Sequence, residues 1–559
     1  MQAEDLGRTQ WDAIIVGSGL GGLACAAALT ALGKRALVLE GHIVAGGNAQ
    51  VFRRRVDGVD VEFDVGVHYI GECGPGGTVT QIVHGLGLDE RLRFRELDPD
   101  GYSTLVFPGR RFRVPASWEL YRQRLLEEFP GEAEPLGRVV DLLREIGEAG
   151  RRLQRDEVSF EQLVQQTPAF LEWGLRPAAD LFAHHGLSPA SVACLVGEQG
   201  TYAVPPSRAP VALVGGLTDH YMRGAFYPEG GGQVVASHLV EAIVARGGDV
   251  RTRARVERIL VEGGRAVGVR LEGGRELRAP VVVSNADIKR TLRDLVGREP
   301  LPQQSYERVM DASMAPALFC VYLLLDTDLG AQGVPNTNFH IWSGYDSETA
   351  YEAVRAGEVS ARHGTYITVT SLKDPGNRRA APEGWTNLQV MTLAPSEARH
   401  WGLEQGPVEA GNNAYHRDAR YKQKKAEAVE ALIDAAEAVL PPLRPHIRHQ
   451  EACSPMTHER FTRSTGGTSY GLELTTEQIG PLRVPARSEL PGLFFCGAST
   501  QSAHGIVGVL RGGIAAAGTI AGEDLLRQAV RGERLGGVDV LGEVEPGWDA
   551  WRAARRPLG

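Results

Sequence analysis

The sequence predicts an α/β protein, and three observations predict it. First, the chain opens strand, turn, helix, strand: Trp11 to Val16 (WDAIIV) is a short apolar, β-branched run, Leu23 to Leu32 is rich in Ala and Leu, and Arg35 to Leu39 is a second apolar run that ends on Glu40. Second, Gly17-Ser18-Gly19-Leu20-Gly21-Gly22 joins that strand to that helix with G-x-G-x-x-G spacing. Third, strand-like runs recur later at Val250 to Ile259, Ala266 to Leu271, Val281 to Val283, Ala317 to Leu325, Tyr366 to Thr370 and Leu388 to Leu393. Helical stretches stand among them: Val234 to Arg246 reads as amphipathic, and Asp418 to Leu440 has the charge and Ala content of an exposed helix.

Each part of the opening has a physical task. Gly17 permits the tight turn, Gly19 lets the backbone approach a pyrophosphate, and Gly22 lets the helix pack closely on the strand. The helix N-terminus, with unpaired N–H groups and the positive end of the dipole, favours an anion. Glu40 at the end of the second strand suits a ribose hydroxyl and favours ribose over a 2′-phosphate. These residues leave FAD and NAD both open.

With 559 residues the chain exceeds one ordinary core, and two interlocked domains are expected. Hydrophobic residues at 43% and charged residues at 23% exclude a disordered or fibrous class. A net charge of −9 with no basic block argues against nucleic acid as a partner. Six scattered cysteines without a Cys-x-x-Cys pair argue against a disulfide framework or a metal site, and a reducing cytoplasm fits them best. Met1 to Gln10 lacks the apolar core of a secretory signal, and no run of about 18 apolar residues occurs, so any membrane contact is expected to be peripheral.

Four segments carry a family resemblance: GSGLGGL with EGHIVAGGN (Gly17 to Leu23, Glu40 to Asn48); EFDVGVHYIG (Glu62 to Gly71); FYPEGGG with VVVSNAD (Phe226 to Gly232, Val281 to Asp287); and LFFCGASTQSAHGIVGVLRGGIAAAG (Leu493 to Gly518). The chain resembles the phytoene desaturase-like flavoproteins, and within them the branch of retinol saturases (all-trans-retinol 13,14-reductases) and carotenoid isomerases. The resemblance implies FAD as cofactor. It implies contacts from Gly17, Ser18, Gly19, Gly21 and Gly22, from Glu40 and Gly41, and from a second glycine pair, Gly46 and Gly47 with Asn48, passing over the far end of the dinucleotide. Val256 would meet the adenine through its backbone, and Gly497, Ala498 and a Val507-Gly508-Val509 turn would cover pyrophosphate and flavin. Two positions depart from common patterns: Ala498 stands where many flavoproteins have Asp, and Asn48 where many have Arg.

The architecture implied is a Rossmann-like FAD-binding domain of the glutathione reductase/amine oxidase type, built from 8–75, 225–300 and 480–530. It is interleaved with an α+β substrate domain on a mainly antiparallel sheet with a helical cap, 76–224 and 301–479, and followed by a tail, 531–559. The activity implied is oxidoreduction at C=C bonds of a lipophilic polyene or isoprenoid, carotenoid- or retinoid-like, by desaturation, saturation or cis–trans isomerisation. His68 is a candidate proton donor or substrate-positioning group beside the flavin, with Tyr69 and His504 as further candidates. A flavin amine oxidase is the first rival. A non-enzymatic prenyl-binding protein of the GDP-dissociation-inhibitor type is the second, and the intact glycine motif with Glu40 argues against it.

Other motifs carry less. Gly467-Thr468-Ser469-Tyr470-Gly471 matches G-x-S-x-G, but its polar, turn-like approach and the lack of an Asp between Gly471 and His504 argue against a hydrolase. His184-His185 and Arg53-Arg54-Arg55 lack partners at ligand spacing and read as structural or surface residues. Phe170 to Phe182 reads as a core helix, with a lid or membrane-facing helix as the alternative.

Overall fold

In the computed structural model, which describes residues 10–155 and 157–558, the first strand alternates between two cores. Ala13 and Ile15 of the strand Ala13–Val16 enter a core shared with the helix Leu20–Ala31, while Ile14 and Val16 enter a second core beneath a β-meander. That strand is the centre of a five-stranded, all-parallel sheet in the order Asp249–Arg251, Ala36–Leu39, Ala13–Val16, Val281–Ser284, Leu493–Phe495. Strands buried on both faces explain the continuous apolar runs. The helices Leu20–Ala31, Gln233–Ala245 and Gly505–Ala521 cover one face, and the meander Val256–Glu262, Arg265–Leu271, Glu276–Arg278 covers the other. Apart from Gln10, the segment Met1 to Gln10 considered for a leader lies outside the described residues.

A seven-stranded sheet forms the second layer system, in the order Ile447–Cys453, Ala317–Leu325, Thr386–Ala394, Gly364–Val369, Asn338–Trp342, Ser103–Phe107, Arg110–Val114. All its pairs are antiparallel except Asn338–Trp342 with Ser103–Phe107. Its register sets His340 opposite Tyr366, Tyr366 opposite Met391 and Met391 opposite Cys320, so these four share one face. The helix Ala419–Glu437 covers the other face through Val429, Leu432, Ile433 and Ala436. Further helices, among them Ala133–Gln154 and Val211–Tyr221, stand over the first face, and that pair crosses closely because Gly147 meets Gly215.

Several local expectations need correction. Val250 to Ile259 is two strands: Asp249–Arg251 belongs to the parallel sheet and Val256–Glu262 to the meander, with Arg253 at a φ of 55° turning the chain between them. Gln233–Ala245 is buried almost all round because helices and sheet enclose it, so it lacks the expected amphipathic division. Ala419–Glu437 is exposed on one face only. Phe170 to Phe182 is two short helices, Pro168–Trp173 and Ala178–His184, because Pro177 disfavours helix at Arg176 and Gly174 offers a stop. Arg53, Arg54 and Arg55 are paired with Glu62 and Asp549, Glu451, and Asp60 respectively.

Candidate active site

A single cavity of about 1800 Å³ runs from the glycine turns of the parallel sheet to the face of the seven-stranded sheet that carries His340, Tyr366 and Met391. At its nucleotide end Gly17 adopts a φ of 94°, and a Cβ on Gly22 would stand 2.4 Å from the Gly17 carbonyl oxygen, so neither position admits a side chain. Gly19 caps the helix Leu20–Ala31 with no side chain on its first-turn N–H groups, and Gly19 bridges Gly46 of the second glycine pair. A Cβ on Gly47 would come within 2.9 Å of Gly19 Cα. Glu40 closes the turn: its carboxylate accepts from Ser18 N (2.9 Å), Ser18 Oγ (2.7 Å) and His42 N (2.7 Å), and lone pairs remain for a ligand hydroxyl. Glu40, Gly41 and Val256 line the cavity together.

The C-terminal segment reaches the same place. Gly497, at a φ of 94°, packs on Gly21, and Ala498 offers its carbonyl to Arg483 at 2.6 Å. Val507, Gly508 and Val509 are the opening of the helix Gly505–Ala521, not a turn. The turn was implied by the family resemblance, but burial against Ser502 and Ala503 requires the small Gly508, and helical packing prevails. This helix N-terminus also has no side-chain cap, so two uncapped helix starts face one cavity. Asn48 is already committed: its Nδ2 donates to Ser469 O at 3.2 Å and its Oδ1 lies 2.9 Å from His458 Nε2. Asn285 was missed by sequence reasoning, although it lies within the quoted run VVVSNAD. Its side chain lies against Gly19, Gly21, Gly22 and Gly497 and ties the two glycine segments together.

Beyond the nucleotide end the walls are aromatic. Tyr69 stacks on Tyr221 at 4.6 Å, Tyr366 lies 6.4 Å from Tyr69, and His340 lies 4.9 Å from Tyr366. His68 and Tyr69 come from the loop after the strand Val59–Asp64, which Lys373 fixes: its buried Nζ donates to His68 O (2.5 Å), Thr368 Oγ1 (2.5 Å) and Asn338 Oδ1 (2.6 Å). Burial, opposed by Asp64, lowers the Lys373 ammonium to about 7. Burial and Lys373 push His68 and His340 down to about 3, so both imidazoles are neutral near neutral pH and neither holds an imidazolium proton to give. His504 lines the cavity too, but its ring rests on Tyr470 at 4.7 Å, and burial brings it to about 3 as well. Glu198, also missed, accepts from Tyr69, Tyr102 and Ser103.

Thr468 to Gly471 forms cavity wall and the motif is no strand-to-helix elbow, which removes the hydrolase motif. Among the described residues no group of three or more His, Cys, Asp or Glu is placed to hold a metal ion. The nucleotide end fits a flavin dinucleotide on its own evidence: side-chain-free glycine turns, two uncapped helix starts and an acid at the strand end converge on one cavity.

Comparison with known proteins agrees. All-trans-retinol 13,14-reductase of Macaca fascicularis is 29% identical over 540 residues, covering 92% of this chain and 86% of that protein. Prolycopene isomerase 2, chloroplastic, of an Oncidium hybrid cultivar is 26% identical over 531 residues, covering 92% and 84%. The structure of cyclohexylamine oxidase from Brevibacterium oxydans superposes with a TM-score of 0.56 over 92% of this chain and 99% of that one, at 16% identity, a likeness of fold. The family model for flavin containing amine oxidoreductases matches residues 20–378. The chain therefore belongs to the flavin-containing amine oxidoreductase family, and its cofactor is FAD.

Proposed function

We propose that the protein is an FAD-dependent oxidoreductase acting on C=C bonds of a polyene or isoprenoid of the retinoid or carotenoid kind. The observation that carries this reading is the continuity of the cavity: the glycine cradle opens directly into a chamber walled by Tyr69, Tyr221, Tyr366, Leu318, Met391 and Leu393. A long apolar chain fills such a chamber by hydrophobic burial alone, at about 25 cal/mol per Å². Relatives named for a retinol reductase and a prolycopene isomerase support the same substrate class. The division into an FAD-binding domain (8–75, 225–300, 480–530) and a substrate domain (76–224, 301–479) is part of the proposal.

When bound, the flavin supplies or accepts hydride at the substrate carbon. The chain's own residues do the rest. Gly17, Ser18, Gly19, Gly21, Gly22 and Glu40 hold the nucleotide, with Gly41, Gly46, Gly47, Asn48, Val256, Gly497, Ala498, Val507, Gly508 and Val509 along its length. The Lys373 anchor keeps the His68 loop in place, and the neutral rings of His68 and His340 offer hydrogen bonds without adding charge to an apolar chamber. We assign peripheral membrane contact to the cavity rim, where Phe160, Leu171 and Leu175 are 55%, 70% and 52% exposed and Phe160 and Leu175 also line the cavity. Among the described residues no helix is long and apolar enough to cross a membrane.

The test is anaerobic absorbance of the flavin-loaded protein titrated with retinol, phytoene and cis-carotenoids. Bleaching of oxidised flavin bands by a polyene indicates desaturation, and polyene turnover only after pre-reduction indicates saturation or isomerisation. Turnover of amines with no response to any polyene would overturn the proposal.

A further inference from the structure

Behind the aromatic wall, between the helix Pro189–Leu195 and the turn Gln199–Thr201, one carboxyl gathers three hydroxyls. Glu198 accepts from Tyr69 Oη at 3.3 Å, Tyr102 Oη at 2.8 Å and Ser103 Oγ at 2.6 Å. Tyr69 comes from the loop beside the nucleotide end, Tyr102 and Ser103 from the start of the strand Ser103–Phe107 in the seven-stranded sheet, so the carboxyl joins the two halves of the cavity. The other ionisable groups that face it are His340, whose Nε2 is 3.8 Å away, and the phenols Tyr121, Tyr202, Tyr221 and Tyr366. None of these is a cation near neutral pH. A buried carboxyl satisfied by neutral donors retains its proton more readily than one paired with Arg or Lys, and burial shifts Glu198 upward.

We propose that Glu198 is the positioning residue and proton store of the cavity, holding the Tyr69 hydroxyl in place and exchanging a proton with it, so that Tyr69 is the acid that completes reduction of a C=C bond. The inference rests on the reading of the protein as a polyene oxidoreductase. The reductant would be the bound reduced flavin, which would supply hydride to one alkene carbon and leave the alkene electron pair on its neighbour. That carbon takes the Tyr69 proton: a C–H bond forms and the O–H bond breaks. With the carboxyl protonated, the Glu198 O–H donates to Tyr69 Oη across the same 3.3 Å contact and frees the Tyr69 O–H for the substrate; the Tyr69 oxygenate then takes the Glu198 proton, and water reprotonates the Glu198 carboxylate.

The geometry suits this sequence of transfers. Tyr69 lines the cavity, and its ring is clamped by Tyr221, which leaves the hydroxyl torsion as its free coordinate. Its contact to Glu198 is the longest of the three, so it is the hydroxyl least committed to the carboxyl. Three histidines that also line the cavity, His68, His340 and His504, are neutral.

Two measurements test the proposal. The first needs no turnover: an infrared difference spectrum of wild type minus Glu198→Gln should contain the band of a protonated carboxyl, which disappears as pH rises. Absence of that band at neutral pH overturns the proton store. The second uses the flavin-loaded enzyme with a polyene under reducing conditions. Glu198→Gln and Tyr69→Phe should each lower kcat by about 10²-fold with KM little changed, and the double variant should be no slower than the slower single one. Wild-type activity should fall as pH rises through the Glu198 titration, Glu198→Gln should lose that dependence, and Glu198→Asp should restore part of it. Additive losses that track thermal stability, with an unchanged pH profile, would overturn the proposal. Wild type that turns over no polyene would refute the functional reading, while the infrared result still decides the state of Glu198.

Discussion

Replacing Gly513 by Ala adds one methyl group where the helices Leu20–Ala31 and Gly505–Ala521 touch. A Cβ at that position would stand 2.3 Å from the Gly21 carbonyl oxygen, 2.8 Å from the Ala24 Cβ and 3.0 Å from the Cys25 nitrogen. Relaxed non-bonded contacts lie near 3.5–4.0 Å, so the helices must part by roughly 1 Å. Both neighbours at 2.3 and 3.0 Å are backbone atoms, which have no rotamer to escape into. Overpacking of this kind costs up to about 3 kcal/mol, and the better helix propensity of Ala returns about 1 kcal/mol. The net expectation is a loss of about 2 kcal/mol. Parting the helices also carries the helix start at Gly505 to Val509 away from Gly21, so flavin should dissociate more readily. Gly150→Ala is the control: this glycine is also in a helix, a Cβ there meets nothing within 4 Å, and the change should stabilise by about 0.5–1 kcal/mol. Denaturant unfolding of the flavin-free proteins measures both, and the ratio of flavin to protein absorbance measures retention. If Gly513→Ala shifts the midpoint in the same direction as Gly150→Ala, the helices do not meet through these backbones and the reasoning fails.

Three further perturbations test other parts of the site. Glu40→Ala removes the acceptor that organises Ser18 and His42, and charge-assisted hydrogen bonds are worth about 1.5–3 kcal/mol each, so flavin affinity should fall at least about tenfold by equilibrium dialysis. His340 and His458 are lowered to about 3 and about 4 in the fold, against an ordinary value of 6.5, so the unfolded chain binds protons there that the folded chain refuses. Their contribution is complete above pH about 6.5 and is lost as pH falls towards those values, about 2 kcal/mol each by pH 5; His458→Gln should therefore shrink the stability difference between pH 7 and pH 5 by about 2 kcal/mol in denaturant titrations. Arg483, 2% exposed, donates to the carbonyls of Thr500, Leu472, Glu473, Gln478 and Ala498. Arg483→Met should cost about 3 kcal/mol or more, read as a lower thermal midpoint, and should loosen flavin because the Ala498 carbonyl loses its anchor.

What was legible in the sequence was what local physics demands. Gly17 and Gly22 could be assigned their tasks because a positive φ or a 2.4 Å approach admits no other residue, and the strand before them announces where the turn must fall. Local patterns misled where tertiary packing prevailed. The family resemblance implied a turn at Val507-Gly508-Val509, yet Gly508 is needed because a helix runs against Ser502 and Ala503. The strand-like stretch Val250 to Ile259 contains no glycine or proline to announce that it serves two sheets; Arg253 takes the left-handed conformation without the usual residue type.

The chemistry of the chamber was less legible for a different reason. Glu198 meets Tyr69 across 129 positions and Tyr102 across 96, and nothing beside it in sequence distinguishes it from a solvated glutamate. Lys373, within Ser371-Leu372-Lys373-Asp374-Pro375, has the composition of an exposed turn, but it is 2% exposed because the His68 loop folds over it and offers a carbonyl. The row His340, Tyr366, Met391, Cys320 exists only through the hydrogen-bond register of four strands. A shift of one residue in any of these pairings would turn its side chains to the opposite face, under the helix Ala419–Glu437, and leave the chamber without its polar groups. Nucleotide binding is therefore encoded in backbone geometry that a short motif can announce, whereas the reactive face is encoded in strand register, and that register is enforced by packing on both sides of the sheet. For this reason the register-dependent residues, His340 and Tyr366 first among them, are where substitutions should alter chemistry while leaving flavin binding intact.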